Sequence, residues 1–234
     1  MEREPIFNIP PSVLAALALL AAVHIVLQIL PEQDANWATL ALAFIPARYG
    51  GMAGELPGGR EAAVASFATY QLVHADITHL LVNAAWLLAF GGAVARRIGA
   101  LRFFMFAGLC GAAGALLFLL LRWGELVPVV GASGAVSGLM AAALRFFFGA
   151  ADRGDLGQLQ NAPDTVPLIG LAETLTNRRI LTVVAVWIVI NFVMAMAVPE
   201  SVAAGGIAWE VHLGGFVVGL LTFGAFDPPR RALS

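Results

Sequence analysis

Hydrophobic and polar positions alternate along this chain in long blocks. Six apolar stretches are separated by segments that hold the prolines and most of the charges, and each stretch is close to the ~20 residues that an α-helix needs to cross a bilayer. The pattern predicts spans at residues 12–30, 77–94, 103–121, 132–148, 180–198 and 207–226. We therefore predict an all-α, polytopic membrane protein in which residues 1–234 form a single six-span domain.

Two connecting segments do not follow this simple alternation. Between the first two spans, Trp37–Pro46 is apolar over only about half a span, and Arg48 and a run of glycines and prolines interrupt it. We interpret residues 31–70 as a long loop lying partly in the membrane interface, with Trp37 and Tyr49 near the lipid headgroups. Residues 149–179 form a polar loop between spans four and five, to which the sequence assigns no role.

Composition supports a membrane location and argues against a soluble domain and a nucleic-acid-binding protein. Hydrophobic residues make up 60% of the chain and charged residues 12%, whereas soluble domains carry about 25% charged residues. A net charge of −2 gives no basis for binding nucleic acid. Cys110 is the only cysteine, so an internal disulfide is excluded, and we interpret it as a small core residue.

The distribution of arginine predicts the orientation, since the chain has no lysine. Only Arg48, Arg60 and Arg122 lie on one side of the predicted spans. The other ten lie on the opposite side: Arg3, Arg96, Arg97, Arg102, Arg145, Arg153, Arg178, Arg179, Arg230 and Arg231. The positive-inside rule therefore predicts that both termini are cytoplasmic and that spans two, four and six enter from the outside.

This topology brings polar residues that are far apart in sequence to one depth. Span two carries His79 and Asn83, which are one turn apart on one helix face, span four begins near Ser133, and span six carries His212. Polar side chains inside a membrane usually face the bundle interior or a water-filled cavity. Taken singly, each fits a hydrogen bond between helices equally well, and His24, alone in span one, is interpreted as structural. Together they favour catalysis.

Acyl transfer is the chemistry that these side chains suit. A serine hydroxyl becomes a nucleophile when a neutral imidazole takes its proton, which assigns these roles to Ser133 and His212. The backbone N–H of Ser133, the Asn83 amide and the His79 ring could donate to the oxyanion. Two pairs of glycines four residues apart, Gly134 with Gly138 and Gly215 with Gly219, predict close packing of spans four and six.

Other intramembrane chemistries lack their motifs. The His-Glu-x-x-His pattern of zinc proteases is absent, and His74 and His79 are five residues apart, a poor spacing for metal ligands on one helix. We predict no metal and no cofactor. No predicted span holds a pair of carboxylates: Asp76 and Asp227 lie at the ends of spans two and six and Glu210 lies near the start of span six, so an aspartyl pair is not expected. The nucleophile elbow of soluble hydrolases fails because position 135 is alanine.

Four segments together resemble the rhomboid intramembrane serine proteases. They are HADITHLLVN (74–83), FGGAVARRIG (90–99), GASG (131–134) and VHLGGFVVG (211–219). The resemblance covers the six-span core and implies a serine–histidine dyad that cleaves single-span membrane proteins in or near their transmembrane segment. It implies Ser133 as nucleophile, His212 as base, an oxyanion hole of His79, Asn83 and the Ser133 N–H, and His74 at the mouth of the site.

The chain departs from the family pattern in two places. Many rhomboids have an aromatic residue four positions after the serine, packed on the catalytic histidine, where this chain has Ser137, whose hydroxyl is a candidate partner for His212. The Trp-Arg pair of the first loop in many bacterial members is also missing. The alternatives are a rhomboid-like pseudoprotease that binds membrane helices without cleavage, and, more remotely, a transporter or channel. We place the protein in a bacterial plasma membrane, with transmembrane proteins as substrates and the lipid bilayer as its environment.

Overall fold

The computed structural model describes residues 9–197 and 207–227, apart from the side chains of residues 160 and 161. Within these ranges the chain is helical without a regular strand, and one isolated bridge pairs Phe44 with Val129. The predicted all-α class is confirmed. Arg3, Arg230 and Arg231, on which the predicted orientation partly rests, lie outside the described residues.

Six helices in the described part of the chain are long and apolar enough to cross a membrane, as the sequence predicts for a multi-pass membrane protein. They are Pro11–Ile29 (span one), Ile77–Ile98 (span two), Ala100–Leu121 (span three), Ser133–Arg153 (span four), Arg178–Ala197 (span five) and Trp209–Phe226 (span six). Spans two and four run four and five residues beyond the predicted ends at 94 and 148. Charged residues end an apolar stretch without ending a helix, because arginine is a good helix former.

Short elements join the spans. Span two consists of the helix Ile77–Trp86, a π-helical turn at Leu87–Gly91 and the helix Gly92–Ile98. Helices Leu156–Asn161 and Leu171–Thr176 lie between spans four and five, within the segment of unassigned role. The side of the bundle on which spans two, four and six begin is called the site end below.

Residues 31–70 are not the simple loop that the sequence pattern predicts. They contain the helices Glu32–Leu42 and Glu61–Thr69 and a 3₁₀ turn at Pro46–Arg48. Arg48 is 3% exposed, and its guanidinium donates to the carbonyl oxygens of Leu40 at 2.7 Å and Gly59 at 3.4 Å. A buried cation that bonds backbone carbonyls holds the two helices together, so this segment is structured by tertiary contacts.

The packing of spans three, four and six is dominated by glycine. A Cβ added at Gly214 would lie 2.9 Å from the Cα of Gly114 in span three, and one added at Gly219 would lie 2.5 Å from the Cα of Gly138 in span four. Small residues let helix backbones approach one another in a membrane. Span four is accordingly central: 83% of an 18-residue stretch of it is buried, against 6% in span five.

Opposite the site end, two arginines bond groups of span six, its end and the segment between spans four and five. Arg97 makes a bidentate ion pair with Asp227 at 2.6 and 2.8 Å and also donates to Pro163 O at 2.7 Å. Arg145 is 5% exposed and donates to Ile169 O at 2.8 Å and Leu220 O at 3.0 Å. These bonds tie the segment between spans four and five to the bundle.

Candidate active site

Ser133 is the first residue of span four, and a glycine turn precedes it. Gly131 has a φ of +118°, a conformation that side chains disfavour, and its N–H donates to Tyr70 O at 2.9 Å. Tyr70 is fully buried, and its hydroxyl donates to Gly111 O of span three at 2.8 Å. The turn is therefore fixed to a rigid support. Because Ser133 opens the helix, its N–H has no acceptor within the helix.

His79 and Asn83 of span two face this turn. A Cβ added at Gly131 would lie 2.7 Å from both Cε1 and Nε2 of His79, and 3.9 Å from Nδ2 of Asn83. The Asp76 carboxylate caps the helix by accepting from the His79 N–H at 2.8 Å. Asn83 is 4% exposed and donates one Nδ2 hydrogen to His79 O at 3.0 Å. The second Nδ2 hydrogen remains for another acceptor.

His74 lies just before span two and supports the turn from the side. Its Nε2 accepts from the Ala132 N–H at 3.4 Å, and its ring centroid lies 5.0 Å from that of His79. Burial, with a smaller contribution from His79, lowers the pKa of His74 to about 4. A neutral imidazole can accept a hydrogen bond and an imidazolium cannot, so the low pKa preserves the bond to Ala132 at neutral pH.

His212 of span six lies opposite the start of span four. The residue after Ser133, Gly134, packs against both flanks of His212: an added Cβ would lie 2.9 Å from Val211 Cγ1, and Gly215 sits against the Gly134 carbonyl. The four glycines singled out in the sequence, Gly134, Gly138, Gly215 and Gly219, thus face one another across spans four and six.

The hydrogen bonds of the two central residues differ from the expectations. Among the described residues, no hydrogen bond joins Ser133 to His212. The Ser137 hydroxyl does not reach His212; it donates to Ser133 O at 2.7 Å, one turn back along span four. A serine within a helix satisfies its hydroxyl on the carbonyl four residues earlier, which is the nearest acceptor.

His212 is bonded by a residue of span five that the sequence pattern does not predict as part of the site. The imidazole Nδ1 lies 2.5 Å from Oδ1 of Asn191 in span five. Asn191 is the one amide in the apolar run of residues 180–198. That isolation was the available signal, because a polar side chain inside a span marks a contact or a site.

The carboxylates near the span ends are bonded to other groups. Glu210, two residues before His212, is 2% exposed and pairs with Arg122 at 2.8 Å. Its hydrogen bond raises the pKa of Arg122. Asp76 caps span two and Asp227 pairs with Arg97. In the described ranges, no three His, Cys, Asp or Glu side chains come together in a way that could hold a metal ion.

Comparison with known families identifies a matching family. A family model described as "Rhomboid domain" matches residues 61–226, which is well over half of the chain and includes spans two to six. No curated protein matches the chain.

Proposed function

Because the chain belongs to the rhomboid family of intramembrane proteases and pseudoproteases, we propose that it is an active serine endopeptidase of membrane-embedded substrates. Ser133 is the nucleophile and His212 the general base. His79, Asn83 and the Ser133 N–H are the oxyanion donors, and His74 supports the mouth of the site. The observation that carries the proposal is the packing of Gly134 against Val211 and Gly215, which flank His212.

The reaction follows from these positions. The Ser133 oxygen attacks the peptide carbonyl carbon while Nε2 of His212 takes the hydroxyl proton. The resulting oxyanion accepts hydrogen bonds, and the intermediate collapses with cleavage of the C–N bond as the imidazolium returns its proton to the leaving amine. Water activated by His212 then attacks the acyl-enzyme by the same route and releases the second product and free Ser133.

Hydrogen-bond donors of suitable type are held at the start of span four. The Ser133 N–H lacks an acceptor within the helix, and Asn83 has a second Nδ2 hydrogen beyond the one it gives to His79 O. The His79 ring lies against Gly131, two residues before the nucleophile. Donors fixed in place before the reaction stabilise developing charge without reorganising.

The direct test is cleavage of a fluorescent single-span substrate in proteoliposomes. We expect wild type to cleave it, and Ser133→Ala and His212→Ala to be inactive. Ser137→Ala is the matched control, because it removes a hydroxyl from the same helix one turn away, and it should keep most activity. Full activity in Ser133→Ala would overturn the nucleophile assignment.

The assignment of the oxyanion donors predicts how much kcat should fall when one of them is removed. Asn83→Ala should lower kcat by roughly 100- to 1,000-fold, the usual loss on removing one oxyanion donor. The exposed Thr78, on the same helix, supplies the control Thr78→Ala, which should cleave normally. If folded wild type neither cleaves nor reacts with a fluorophosphonate at Ser133, the protein is the non-cleaving, helix-binding alternative.

A further inference from the structure

Span five turns one narrow stripe toward the bundle. Most of its residues are exposed, and the less exposed ones recur at helical spacing: Ile180, Val184, Trp187, Asn191 and Ala195. Such a three-to-four-residue period defines one helix face. Asn191 is the only polar member of the stripe, so its amide is directed at span six rather than at lipid.

The direction of the Asn191 amide is fixed by the backbone one turn earlier. Its Nδ2 donates to Trp187 O at 2.8 Å. A carbonyl oxygen only accepts, so the amide nitrogen must point to Trp187 and the amide oxygen must be the atom that lies 2.5 Å from His212 Nδ1. An amide turned the other way would face Trp187 with its oxygen, leaving two acceptors in contact.

This direction determines which nitrogen of His212 carries the proton. Because an amide oxygen only accepts, the neutral imidazole must be protonated at Nδ1, and its Nε2 is left with a lone pair. That is the tautomer a general base requires. A donor amide facing Nδ1 would favour the opposite tautomer, whose Nε2 cannot take a proton from serine.

A second contact keeps the two helices in register. The Trp187 ring stacks on Phe216 of span six, with ring centroids 4.8 Å apart and planes at 25°. Trp187 and Asn191 are four residues apart, as are His212 and Phe216, so the hydrogen bond and the stacked pair form two successive contacts between antiparallel helices. Asn191 lines a cavity between spans five and six, together with Trp187, Phe192, Trp209 and Leu213.

We propose that Asn191 is the positioning residue of His212, supplying from span five the acceptor that fixes the imidazole tautomer and ring orientation. The proposal rests on the proposed function of His212 as the base. It also gives this chain a hydrogen-bonded support for the histidine, at a site where Ser137 offers neither an aromatic ring nor a bond to His212.

Three variants at position 191 separate the acceptor from the packing. Asn191→Leu keeps a similar volume but removes the acceptor. Asn191→Asp keeps an acceptor oxygen when ionised, and when neutral it can also donate to Trp187 O as the amide does. Ile190→Leu, at the adjacent lipid-facing position, is the matched control.

The test combines kinetics with a spectroscopic readout of the histidine. General-base catalysis contributes roughly 100- to 10,000-fold, so partial loss of the correct tautomer in Asn191→Leu should lower kcat by about 10- to 100-fold with KM little changed. Asn191→Asp should retain more activity than Asn191→Leu, and Ile190→Leu should be normal. Nitrogen-15 NMR of histidine-labelled protein, with His212 assigned by His212→Ala, should show Nδ1 protonated in wild type and a mixture of tautomers in Asn191→Leu.

Two results would overturn the proposal. One is a wild-type His212 protonated at Nε2 instead of Nδ1. The other is an Asn191→Leu protein with unchanged kcat or an unchanged tautomer. The NMR measurement does not depend on proteolysis, so a failure of the proposed function, seen as full cleavage by Ser133→Ala, is distinguishable from a failure of the Asn191 assignment.

Discussion

Spans four and five cross the same bilayer but are held in opposite ways. Span four is 83% buried over an 18-residue stretch and packs through glycine against span six, whereas span five is 6% buried over its equivalent stretch. The proposed nucleophile starts the first helix, and the proposed support of the base lies on the second. The difference shows that the two members of the proposed dyad are held differently: Ser133 lies on a helix fixed by close packing of backbones, and His212 is bonded by a side chain on a weakly packed helix.

Spans four and five should differ most in the unfolding free energy that is lost when an aliphatic side chain is shortened to alanine. Leu139 of span four is fully buried, and Leu139→Ala leaves a cavity that should lower the free energy of unfolding by about 2–3 kcal/mol. This is the low end for such changes, because lipid removes part of the transfer term that operates in water. Ile190 of span five is 55% exposed, and Ile190→Ala should change stability by less than about 0.5 kcal/mol.

Unfolding in mixed detergent micelles would measure both variants against wild type. Equal losses would mean that span five is packed as firmly as span four, and the contrast between the helices would not hold.

A smaller loss of unfolding free energy is expected where the backbones of spans four and six touch. A Cβ on Gly215 would collide with the Gly134 carbonyl, which belongs to a helix and cannot rotate away as a side chain would. Gly215→Ala should therefore cost about 1–2 kcal/mol of unfolding free energy. It should also lower kcat by moving His212 away from Ser133.

Gly224, nine residues further along span six, supplies the control. No atom lies within 4 Å of a Cβ added there, so Gly224→Ala should be neutral or slightly stabilising, since alanine is the better helix former. If Gly215→Ala unfolds and cleaves like Gly224→Ala, close packing does not hold Ser133 and His212 together.

The spans and the central polar residues could be predicted from sequence because the bilayer dictates them. A membrane demands about 20 apolar residues per helix and penalises polar groups, so Ser133, His79, Asn83 and His212 are conspicuous in the sequence. The fold class and the family follow from this pattern and its motifs.

The details that escaped prediction depend on how helices rotate and pack. Asn191 is as conspicuous as His212, but its role depends on which face of span five meets span six. Apart from a few positions, span five is apolar all round, so the sequence has no hydrophobic period that would identify that face. The helices within residues 31–70 are too short to be stable alone and depend on contacts such as those of Arg48. Ser137, which replaces the aromatic residue of many rhomboids, is a candidate partner of His212 in the sequence, but its own helix offers a nearer acceptor.

The smallest expected effect concerns how span five is attached opposite the site end. Asp152, near the end of span four, accepts from Arg179 at 2.9 Å and from Asn177 at 2.7 Å, and the Asp152 and Arg179 side chains are 40% and 65% exposed. Exposed ion pairs contribute little, so Asp152→Ala should cost less than about 1 kcal/mol, and high salt should remove even that difference. Asp155→Ala is the control, because Asp155 pairs with Arg153 at the end of span four and does not reach span five.

The tautomer of His212 should be unchanged in both variants, since Trp187 and Asn191 align span five near the site independently of Asp152. A tautomer shift in Asp152→Ala, measured by the same NMR experiment, would show instead that the exposed pair sets the rotation of span five, and the aligning role of the Trp187 and Asn191 contacts would be lost.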